Sequence, residues 1–159
     1  MSDSIFYRLI SNQLFPSLTW LRSIGFEFWM VGFTPFFIGY VVGSKTLFDF
    51  DLFYGFAIIA FLTSSTFILN HICDLEIDRT NPRKEFSLLV RGTVTVRQAW
   101  YLFWFFQITC LAMSFRFSDA FVYCILALSL ISFVYNLEPF RLKTKPGIDI
   151  ACNGISLGF

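Results

Sequence analysis

The sequence predicts an all-α, multi-spanning transmembrane helix bundle with four full spans and the start of a fifth. Three observations predict it. Hydrophobic residues fill 56% of the 159 positions and charged residues only 14%, with 23 phenylalanines. A soluble domain of this length cannot hide that much apolar surface. Four stretches approach the ~20 apolar residues that a helix needs to cross the hydrocarbon layer. Short polar connections separate them, and the bases gather at alternate helix ends. A net charge of +1 carries no electrostatic signature of nucleic acid binding.

The elements follow in order, as one membrane domain over residues 1–159. The beginning of the chain holds Asp3, Asn12 and Pro16 and no continuous apolar core, so no secretory signal is visible. Ile5, Phe6, Leu9, Ile10 and Leu14 recur at helical spacing, which suits a helix lying on the membrane surface or a frayed tail. The first span runs from Ile24 to Val42. Gly25, Gly32 and Gly39, with Gly43, give it a small-residue face for close packing, and Pro35 is expected to bend it. Glu27, in its first turn, is expected to reach the interface. After "GSKTLFDFD" comes the second span, Leu52–Cys73. Thr95 and Gln98 match a capping box that starts the third span, Val96–Phe115. "RFSD" leads into the fourth, Ala120–Leu137, and Pro139 and Pro146 then bracket a basic turn. A fifth helix begins near Ile148. The residues from Ile148 to Phe159 would make ~18 Å of helix, against a ~30 Å layer, so the chain is expected to be truncated or completed by a second chain. Cys73, Cys110, Cys124 and Cys152 have no metal-ligand spacing and are expected to be unpaired.

Ten of the twelve bases fall on one side of this topology: Arg8, Arg22, Arg79, Arg83, Lys84, Arg91, Arg97, Arg141, Lys143 and Lys145. Only Lys45 and Arg116 fall on the other. That bias predicts a multi-pass integral membrane protein with its N-terminus and the loop after the second span in the cytoplasm. It also puts "NHICDLEIDRTNPRK" and "RLKTKPG" on one side, where they can meet.

Chemistry concentrates in the first of these stretches. Asn70, Asp74 and Asp78 are spaced i, i+4 and i+8, one stripe on a helix, with Glu76 pointing elsewhere. Two carboxylates on neighbouring turns repel unless a cation lies between them. Hard oxygens suit Mg²⁺, which keeps waters and is shared with substrate phosphates. Asp74 and Asp78 are therefore the candidate metal ligands and catalytic residues, and Asn70 adds an amide. This half-site supplies few ligands, so Mg²⁺ is expected to bind only together with a diphosphate. Arg83, Arg91, Arg141 and Lys143 are candidates to neutralise diphosphate oxygens directly. A paired-acid motif alone is more often a solvated loop at a helix end. Asn70 in phase and a second basic turn on the same side outweigh that reading.

The segments "NHICDLEIDR", "GTVTVRQA" and "YNLEPFRLKTKPGIDIACNG" together resemble the first half of the UbiA-type intramembrane prenyltransferases. That family's first aspartate-rich motif, N-x-x-x-D-x-x-x-D, maps onto Asn70, Asp74 and Asp78. Gly92 to Thr95 match the segment that opens its third helix. Tyr135, Pro139, Leu142 and Lys143 match its Tyr-x-x-x-Pro-x-x-Leu-Lys pattern, which makes Tyr135 a further substrate-binding candidate. The resemblance implies an eight- or nine-helix bundle and Mg²⁺-dependent transfer of a prenyl group from its diphosphate to an acceptor, often aromatic or a lipid. Three departures stand out. The family's second aspartate motif lies beyond Phe159, Ser87-Leu88 stands where Arg-Pro is common, and His71 replaces a common Asp. Half the metal site is then missing, so the chain alone is expected to be inactive.

Two other classes compete. CDP-alcohol phosphotransferases need a D-G-x-x-A-R lead and a Gly where Asn70 stands, and neither is present. A structural membrane fragment packing with a partner protein fits the short chain, but not the retained Asn70/Asp74/Asp78 stripe.

Overall fold

The computed structural model describes residues 24–44, 49–84, 87–145, 147–148, 150–152 and 154. The stretch holding Ile5, Phe6, Leu9, Ile10 and Leu14 lies outside them, as do Lys45 and Phe159. So do the side chains of Glu27 and Arg83. Among the described residues the regular structure is entirely helical. Five α-helices follow in order: α1 Trp29–Ser44, α2 Phe50–Cys73, α3 Leu75–Arg79, α4 Val96–Ser114 and α5 Asp119–Asn136. Short 3₁₀ turns occupy Phe26–Phe28, Pro82–Lys84 and Leu142–Thr144. Ile148, Ile150, Ala151, Cys152 and Gly154 are helical again, where the fifth span was expected to begin.

The helix starts are written locally. Asp49 caps α2 by accepting from the Leu52 N–H at 2.9 Å, and its carboxylate also takes the Tyr40 hydroxyl, pinning the end of α1 to the start of α2. Thr95 and Gln98 form the expected capping box at α4. Ser118 caps α5. The first span starts later than predicted. Gly25 adopts φ 70°, a left-handed turn that glycine tolerates without a Cβ penalty, and the chain becomes α-helical only at Trp29.

Two helices, α2 and α5, are long and apolar enough to cross a membrane. The 16 residues of α1 reach only about 24 Å. The 19 residues of α4 suffice in length, but Arg97, Gln98 and Gln107 dilute its apolar character. Among the described residues, two of the four predicted spans meet the length and hydropathy of a crossing helix.

Helix α2 is the central element, packed most extensively against α4 and also against α1 and α5. Ile58, Ile59, Leu62, Cys110 and Ile125 form one core; Ile68, Leu69, Leu75, Leu89, Ala99 and Phe103 form another beneath the α3 end. Met30, Val31, Trp104, Phe105, Ile108, Tyr123 and Leu130 point outward, the inverse of a soluble surface. A chain of polar contacts crosses the middle of the bundle. Ser65 Oγ donates to Gln107 Oε1 at 2.9 Å, and Gln107 Nε2 donates to Ser129 Oγ, tying α2, α4 and α5 together. All four cysteines are free, as expected.

The glycine face works only in part. Gly25 lies against Phe67, and Gly32 lies against Ile59 and Thr63, but Gly39 and Gly43 meet nothing. The tightest glycine is Gly55 on α2, where a Cβ would overlap the Phe36 ring. That ring is held by Phe33, Tyr40, Phe117 and Phe121. Gly55→Ala is expected to cost about 1–3 kcal/mol through overpacking and to lower the thermal midpoint in detergent. Adding Phe36→Leu should recover part of the loss. An unchanged midpoint in the single variant would refute the close approach.

Candidate functional site

The site sits where α2 ends. Asp74 interrupts the helix with φ −98° and ψ 3°, and α3 resumes at Leu75. Hydrogen bonds from Asp74 N to Asn70 O at 2.9 Å and from Asp78 N to Asp74 O at 2.7 Å carry the helical spacing through the break. Asn70, Asp74 and Asp78 therefore keep the i, i+4, i+8 relation, while Glu76 turns out to solvent and pairs with Arg79.

The three side chains do not share one set of partners. Asn70 and Asp74 face the turn after α5. Asp74 Oδ1 pairs with Lys143 Nζ at 2.7 Å and with Arg141 Nη2 at 3.0 Å. Lys143 Nζ also donates to Asn70 Oδ1 at 3.0 Å and to Asn136 Oδ1 at 3.2 Å. Asp78 is only 7% exposed and faces Lys84 Nζ at 3.7 Å and His71 Nδ1 at 3.8 Å. The stripe is split into an Asn70–Asp74 limb bound to the basic turn and an Asp78 limb bound to its own loop. The two turns predicted to lie on one side do meet, across more than sixty positions of sequence.

Three bases, Arg141, Lys143 and Lys84, thus surround two carboxylates. Glu138 also reaches Arg141, at 3.5 Å from an exposed position, so three carboxylates balance the three bases and an incoming anion would compete with them. The hydrogen bond to Asp74 raises the Arg141 guanidinium above its ordinary value, so it stays a cation throughout the working range. Its Nε is buried and has no partner. Arg141 sits at φ 35°, the one left-handed non-glycine among the described residues, which turns its side chain back toward Asp74.

Asp74 uses Oδ1 and Asp78 uses Oδ2 for their cations; among the described residues the other oxygen of each carboxylate accepts no hydrogen bond. Two such hard oxygens fit a divalent cation that brings its own waters or a phosphate. No group of three or more His, Cys, Asp or Glu that could hold a metal occurs among the described residues.

Among the described residues, the ion pairs and hydrogen bonds of this centre reach none of the other predicted site residues. Tyr135 is half-buried near the end of α5, and Arg91 is exposed on the turn before Gly92. The backbone of Arg83 lies in the Pro82–Lys84 turn. Ser87-Leu88 sends Leu88 into the interior, where Ser87, Leu88, Leu89, Val94 and His71 line a small apolar cavity of about 40 Å³. Sequence reasoning passed over Asn136 and counted Lys84 only among the surrounding bases. An asparagine closing an apolar helix was the only signal of Asn136.

The sequence profile of the UbiA prenyltransferase family matches residues 32–159. The chain belongs to the UbiA prenyltransferase family. The fold agrees. The chain is similar to a UbiA homolog from Archaeoglobus fulgidus bound to DMAPP and Mg²⁺, with 25% identity and a TM-score of 0.78, over 87% of this chain and 50% of that one. The same homolog bound to GPP and Mg²⁺ gives 0.77 at the same identity and coverage. Its Cd²⁺-bound form gives 0.71, with 48% of that chain covered. The chain spans about half the length of these UbiA structures. No curated protein matches it.

Proposed function

We propose that this chain is the diphosphate-binding half of a multi-pass, Mg²⁺-dependent intramembrane prenyltransferase, its motif end facing the cytoplasm. The observation that carries this reading is the joining of the Asn70–Asp74 limb to Arg141 and Lys143. Family membership and Archaeoglobus homolog structures holding DMAPP or GPP with Mg²⁺ support it.

In this reading Asp74 and Asp78 would hold Mg²⁺ through their other oxygens, and the ion would supply positive charge to the departing diphosphate. Arg141 and Lys143 set their positive charges beside the diphosphate, and Asn70 keeps Lys143 beside Asp74. Arg83, Arg91 and Tyr135 are kept as further candidates to bind the substrate. Aromatic side chains face the allylic cation left behind, and an acceptor, aromatic or lipid, takes the prenyl group and releases a proton.

The test uses the protein with both halves of the fold. Purified in detergent with a prenyl diphosphate and an aromatic acceptor, it should release diphosphate with Mg²⁺ and stop with EDTA. Release independent of divalent metal, or none across prenyl diphosphates of several lengths, would overturn the reading. The 159-residue chain alone is expected to release none.

A further inference from the structure

Asn136 closes α5 and is only 1% exposed. An amide buried at that depth is costly unless both its ends are paired. Its Nδ2 donates to the Ser132 carbonyl at 3.0 Å, one turn back on the same helix. That bond fixes which end of the amide faces Lys143: Oδ1, at 3.2 Å from Nζ.

An ammonium has three N–H donors. Lys143 Nζ meets three oxygens: Asp74 Oδ1 at 2.7 Å, Asn70 Oδ1 at 3.0 Å and Asn136 Oδ1 at 3.2 Å. Two belong to the motif end of α2. The third belongs to α5. A lysine stem is flexible, and its head is a point charge that goes where acceptors hold it. With Asn136 absent, the ammonium would be held by its two α2 acceptors alone.

We propose that Asn136 is a positioning residue for diphosphate binding: it holds the Lys143 ammonium between Asn70 and Asp74, at the place where a diphosphate oxygen enters. It touches neither substrate nor metal and acts through Lys143. The assignment rests on the prenyl-diphosphate reading above and adds to it a residue from the helix core.

The test is isothermal titration of the two-half protein with inorganic pyrophosphate and Mg²⁺, beside steady-state kinetics. Asn136→Leu, which keeps the volume, is expected to weaken pyrophosphate binding and raise KM for the prenyl diphosphate about tenfold, the scale of one hydrogen bond to a charged group. kcat should change far less. If Asn136→Leu fails to fold, Asn136→Ala carries the same expectation. In a Lys143→Met background, Asn136→Leu should add less than about a twofold further loss, because the two act as a unit. Full additivity in the double variant, or unchanged pyrophosphate affinity in the single one, would overturn the assignment while leaving the prenyltransferase reading intact. An unmodified protein that binds no pyrophosphate with Mg²⁺ would sink both.

Discussion

Asp74→Asn in the two-half protein is expected to cut diphosphate release by about a thousandfold, or about 4 kcal/mol of barrier. The change keeps the shape of the side chain and removes one charge. Three losses follow together. Lys143 and Arg141, both mostly buried, lose the carboxylate that pairs them. The metal site loses one of the two anionic ligands the chain offers. The neutral amide can keep its oxygen toward the two cations, but an N–H₂ donor then stands where the other carboxylate oxygen was. Breaking a partly buried pair on one side costs stability as well, about 1–3 kcal/mol after allowing for its contact with solvent. Turnover should be measured against Mg²⁺ concentration, with a melting curve alongside. A variant that keeps both its rate and its Mg²⁺ dependence would remove Asp74 from the role assigned here.

Lys143→Met should lower kcat/KM by about a hundredfold, mainly through KM for the prenyl diphosphate, as expected when a charge-assisted contact to an anion is lost. Methionine keeps the stem and deletes the head that joins Asn70, Asp74 and Asn136. Arg141 remains on Asp74, so the site keeps one of its two cations and the loss is smaller than for Asp74→Asn. Lys143→Arg is not expected to rescue. A planar fork cannot satisfy three oxygens gathered around one point. Kinetics of the three proteins side by side decide the matter, and a fully active arginine variant would contradict the three-oxygen cage.

Much of this arrangement was legible in the sequence because its causes are local. Helix phase places Asn70, Asp74 and Asp78 on one stripe, and Thr95 with Gln98 announces α4. Counting bases by topological side brought the 141–145 turn to the motif. What stayed hidden depends on tertiary geometry. Nothing in the spacing reveals that Asp74 breaks the helix and that Asp78 turns to Lys84 and His71 instead of sharing Lys143. Asn136 reads as an ordinary helix terminus until the chain folds back and lays Lys143 beside it. The late start of α1 follows from a single left-handed glycine, Gly25, which composition averages over.

The polar rungs formed by Ser65, Gln107 and Ser129 have a mechanical consequence. Apolar helices in a greasy solvent slide past one another cheaply, because every sideways position looks alike. A hydrogen-bonded glutamine halfway along removes that freedom for α2, α4 and α5 at once. When the surrounding sheet of lipid thins or thickens, these three rods lean as one raft, and the grip at their common end travels with them undistorted.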